Sequence, residues 1–76
     1  MLKAVEEAIM AAFIEVHTTS GMQELVNIEA IQSVKQMKRF TELVFTDEEH
    51  LDVVETYEDV KGLIEKTIQR EAVALR

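Results

Sequence analysis

FIEVHTTSGMQELVNIEAIQSVKQMKRF, residues 13–40, decides how this chain folds. From Phe13 the pattern has a period of two: Phe13, Glu15 and His17 fall on one side of an extended segment, and Ile14, Val16 and Thr18 on the other. Thr18-Thr19-Ser20-Gly21 supplies turn chemistry, with Gly21 free to take a positive φ. Residues 22–27 are therefore expected to return as the second strand of a hairpin. Ile28, Ile31 and Val34 are spaced by three, which fits one helical turn begun at Asn27 that straightens into a strand near residues 31–36. Residues 37–40 read as a loop.

Downstream, TELVFT (residues 41–46) and LDVVE (residues 51–55) are the next strand-like runs, joined by the polar loop Asp47, Glu48, Glu49 and His50. Thr56 opens a helix: its hydroxyl can cap the amide of Asp59, and Glu58 and Asp59 favour the positive end of the helix dipole. Tyr57, Val60, Ile64, Ile68 and either Ala72 or Leu75 form the expected apolar stripe. Gly62 interrupts the helix and suggests either a close backbone approach or a tolerated flaw. Upstream, Leu2, Val5, Ile9 and Ala12 recur at helical spacing, opposite Lys3, Glu6 and Glu7.

The expectation is one α+β domain over residues 1–76: an appended amphipathic helix (1–12), a β region (13–55) and a capped C-terminal helix (56–76). The sheet is expected to be a small, curved, antiparallel one of four or five strands. The alternative is an all-helical chain, since residues 24–45 hold many helix formers and no Pro.

Composition narrows the function. A chain of 76 residues buries only about 60% of its unfolded surface, and without Cys it has no disulfide staple or thiolate metal site. Stability must come from apolar packing, a partner subunit, or both. A net charge of −7 repels phosphate backbones and anionic lipid heads, which disfavours nucleic acid. Hydrophobic residues at 47% argue against disorder. Glu6 and Glu7 interrupt the apolar stretch a signal peptide needs, and no run approaches the roughly 20 apolar residues that cross a bilayer. A cytoplasmic location and no membrane partner are expected.

With this order of elements, FIEVHTTSGMQELVNIEAIQSV followed by TELVFTDEEHLDVVETYEDVKGLIEKTI resembles the small FlbD-like family of flagellar and motility-associated proteins. The shared pattern is an opening apolar strand, a Gly turn, Asn followed by Ile-x-x-Ile, two strands, and a Ser/Thr-capped helix. The resemblance implies the same topology; it departs in the N-terminal helix and at Asp47-Glu48-Glu49, where the family has an Asn-Gly-Lys type of turn. VNIEAIQSVKQM is also similar to the C-terminal half of LytTR-type DNA-binding domains, a fold-level likeness.

Candidate chemistry is sparse. Asp47, Glu48, Glu49, His50 and Asp52 are the densest group of metal-ligand types, yet a Ca²⁺ loop needs alternating oxygen ligands and a Gly at the bend, and the run has neither. They read as a solvated hairpin tip that also blunts edge-to-edge aggregation. His17 and His50 read as surface strand residues; on adjacent strands they could share a transition metal with Glu15 or Asp52. Ser20 and Ser33 lie in ordinary turn and strand contexts, and two glycines cannot build a phosphate loop. No catalytic, cofactor or metal residue is therefore expected, and no enzyme. Leu2, Val5, Ile9 and Phe13 are the candidate partner interface, with a homodimer as the expected assembly. Lys35, Lys38 and Arg39, beside Phe40, carry the alternative of a small regulatory nucleic-acid-binding module.

Overall fold

A computed structural model describes residues 13–74, with side chains through residue 69. The expected N-terminal helix, and Leu2, Val5 and Ile9 with it, lie outside the described residues. The described elements are β1 (Phe13–His17), β2 (Gln23–Asn27), a 3₁₀ turn (Ile28–Ala30), β3 (Ile31–Gln36), β4 (Thr41–Phe45), β5 (His50–Val53) and α1 (Tyr57–Ala74). All neighbouring strands pair antiparallel, with Ile14 opposite Val26, Val34 opposite Leu43, and Leu43 opposite Leu51.

The sheet differs from the single one expected. The strands divide into a two-stranded sheet, β1–β2, and a three-stranded sheet in the order β3–β4–β5. Two local features separate them. The Asn27 side chain accepts the amide of Glu29 at 2.9 Å and starts the 3₁₀ turn, which carries the chain away before β3 can pair with β2. At the other side, β1 and β5 form no ladder, and the isolated bridge Thr18–Val53 joins their ends. There the amide of Val54 donates to the carbonyl of His17, and that of Thr19 to Asp52. The His17 amide donates to the Glu55 carboxylate at 2.9 Å, because the chain is already turning toward α1 and offers no further strand.

Two of the hairpins share one loop design. In the first, the Thr18 amide donates to the Met22 carbonyl and the Gly21 amide to the Thr18 carbonyl; in the second, Phe45 donates to Glu49 and Glu48 to Phe45. This is a tight turn closed by a residue in the left-handed region. Gly21 holds that place at φ 92°, and Glu48 holds it at φ 72°. A side chain there costs about 1–2 kcal/mol, of which glycine's extra chain entropy returns about 0.5–1. Glu48→Gly is thus expected to raise stability by about 0.5–1 kcal/mol, read as a higher urea midpoint at unchanged slope.

The core is Ile14, Val16, Val26, Leu43, Val53 and Val60, with Ile28, Ile31, Val34, Phe45, Leu51, Leu63 and Ile64 packed around it. Both sheets contribute, and α1 covers them. Thr56 caps α1 as its sequence implies: Asp59 donates its amide to the Thr56 hydroxyl at 3.1 Å, and the Thr56 amide donates to Asp59 Oδ2 at 3.3 Å. A second tie comes from Gln36, whose Oε1 accepts the Tyr57 amide at 2.7 Å while its Nε2 donates to the carbonyls of Met37 and Phe40. One amide thereby fastens the β3–β4 loop to the start of the helix.

The inward stripe of α1 is rotated from the expected one. Val60 and Thr67 are buried and Leu63 and Ile64 half-buried, whereas Tyr57 is 41% and Ile68 53% exposed. Thr67 takes an apolar place because its hydroxyl donates to the Leu63 carbonyl at 2.9 Å, leaving its methyl for the core. Gly62 meets nothing within 4 Å of an added Cβ, so no close approach requires it. Gly62→Ala should stabilise the domain by about 0.5–1 kcal/mol, visible as a raised Tm.

Candidate functional site

β2 is the most exposed strand. Val26 is its one buried residue, and Gln23, Glu24, Leu25 and Asn27 face solvent. Leu25 is 48% exposed and Met22, at the entry to the strand, 65%. β2 pairs with β1 on one side only, so among the described residues its other edge presents unpaired backbone groups. Phe13, at the start of β1, is half-buried opposite Asn27. It shares the outer face of the hairpin with Glu15, His17 and Leu25, since facing residues point the same way.

Where β1 meets the β5–α1 connection, Glu55 forms a clamp. Its carboxylate accepts the His17 amide and contacts His17 Nδ1 at 2.6 Å. Burial works against the ionised form, but the hydrogen bonds from the His17 amide and ring outweigh it and lower the Glu55 pKa. Beside the clamp, Glu15, Glu55, Glu58, Asp59, Gly62, Leu63 and Lys66 line an open groove of about 460 Å³ between β1 and α1.

The metal alternative fails on geometry. The His17 ring is taken up by Glu55, while His50 lies at the far end of β5, opposite Val44. Asp47 Oδ1 accepts the Glu49 amide at 3.0 Å within the hairpin turn. Oδ1 of Asp52 is buried without a hydrogen-bond partner. Even so, among the described residues no three His, Asp or Glu side chains come together as a metal site.

Lys35, Lys38 and Arg39 are all exposed: Lys35 on β3, Lys38 and Arg39 in the β3–β4 loop before half-buried Phe40. Lys35 stands opposite Glu42 of β4, which stands opposite Asp52 of β5. Two carboxylates in this row offset its cation. The clamp and the open edge leave no local mark in the sequence: His17 and Glu55 are 38 positions apart, and the edge exists only because β2 and β3 do not pair. No helix among the described residues is long and apolar enough to cross a membrane. No family model matches the chain, and neither curated proteins nor solved structures give a match.

Proposed function

We propose that the chain is a non-enzymatic protein–protein interaction module that works as a homodimer in the cytoplasm, with FlbD-like kinship as its background. The observation that carries this reading is an exposed edge strand bearing Leu25, on a domain whose buried apolar core among the described residues is six side chains. Exposed apolar groups on an open strand are a template for another chain. A small core without staples gains most from a partner. Light scattering of the full chain across micromolar to millimolar concentrations is expected to give a mass above 8.7 kDa. A monomer mass throughout overturns the homodimer.

A second reading draws on the exposed cations Lys38 and Arg39 next to Phe40, an arrangement suited to single-stranded nucleic acid. It is opposed by the net charge of −7. Lys38→Glu should abolish oligonucleotide binding at physiological salt, and unchanged binding removes this reading.

A further inference from the structure

Resting on the homodimer reading, we propose that the partner is a second copy of this chain, docked edge to edge through β2, about a two-fold axis at Leu25.

The hydrogen-bond parity of the first hairpin sets this register. The Thr18 amide bonds the Met22 carbonyl, and the strand partners continue as Val16 with Glu24 and Ile14 with Val26. In an antiparallel pair, bonded and non-bonded positions alternate. Glu24 and Val26 therefore spend their backbone groups on β1, and Gln23, Leu25 and Asn27 direct theirs to the open edge. The backbone bonds seen at β1 agree, since odd-numbered His17 and Thr19 bond away from β2, toward Val54, Glu55 and Asp52.

A second β2 related by a two-fold axis at Leu25 meets this edge in matching parity. Leu25 faces Leu25 of the second copy, Gln23 faces Asn27, and Glu24 faces Val26. No like charges stand opposite one another, and the three outward residues are neutral on a chain of net charge −7. The nearest carboxylate on that face, Glu15, is held by Gln23 Nε2 at 3.0 Å. The alternative edge, β3, carries Lys35 and a register break between Ile31 and Ser33, both features that discourage pairing. Docking also turns an isolated two-stranded sheet, a marginal unit by itself, into one of four strands. A five-residue strand is only about 17 Å long, so the interface is small and the dimer weak and concentration-dependent.

Amide hydrogen exchange on the full chain tests this without mutation. Gln23, Leu25 and Asn27 should gain protection as concentration rises, while Glu24 and Val26 are protected at every concentration. Leu25→Pro removes only an outward amide, and Leu25→Lys places two cations across the axis. Each should raise the dimer dissociation constant roughly tenfold or more with an unchanged circular dichroism spectrum. A dimer that survives both substitutions overturns the β2 interface and leaves the homodimer standing. Protection of the three outward amides that does not vary with concentration, or that needs an added foreign peptide, overturns the second copy as occupant. A monomer at all concentrations overturns both.

Discussion

Leu43→Ala is expected to leave much of the protein unfolded at 25 °C. Leu43 is fully buried in β4, the middle strand of the three-stranded sheet, directly between Val34 and Leu51. Paired strands on both sides leave little freedom for the site to collapse around a missing isobutyl group. Truncations of this kind cost about 2–5 kcal/mol, and a single core in a domain of this size supplies roughly 3–5 kcal/mol in total. The measurement is urea unfolding followed by circular dichroism. A midpoint within experimental error of the parent would show that the core is centred elsewhere.

Glu55→Gln should be the next largest loss, about 1–2 kcal/mol at neutral pH, because a charge-assisted bond to the His17 amide is replaced by a neutral one. The pH dependence has a definite sign. The folded Glu55 pKa lies below 4.5, so its contribution is complete above that value and disappears as the pH falls through the lower folded one. Urea midpoints for the parent and the variant should therefore differ at pH 7 and converge in acid. A gap that persists to pH 2, or widens on acidification, would count against the clamp.

The sequence shows some of this fold clearly and hides the rest. Alternation between Phe13 and Thr18, Gly21 at a position that needs positive φ, Asn27 as a cap and Thr56 with Asp59 are local signals. Each of those elements appears where its residues place it. The division into two sheets is hidden, since it depends on how few backbone bonds β1 makes with β5, and period-two patterning says nothing about strand neighbours. The inward face of α1 is hidden for a different reason. Its apolar residues fall in two overlapping stripes, and Thr67 looks polar until its hydroxyl is satisfied within the helix. Of the candidate sites, the exposed cations and Phe13 are placed by the structure, while the β2 edge and the Glu55 clamp arise from contacts between distant parts of the chain.

The Thr18–Val53 bridge has a kinetic consequence. Among the described residues, the three strand ladders are each closed by a short loop, so each hairpin can form in microseconds, independently of the rest. The bridge must wait for two preformed halves to collide. The same seam should part first when the native protein breathes, exposing the amides of Thr19 and Val54 to solvent before those inside any of the three hairpins.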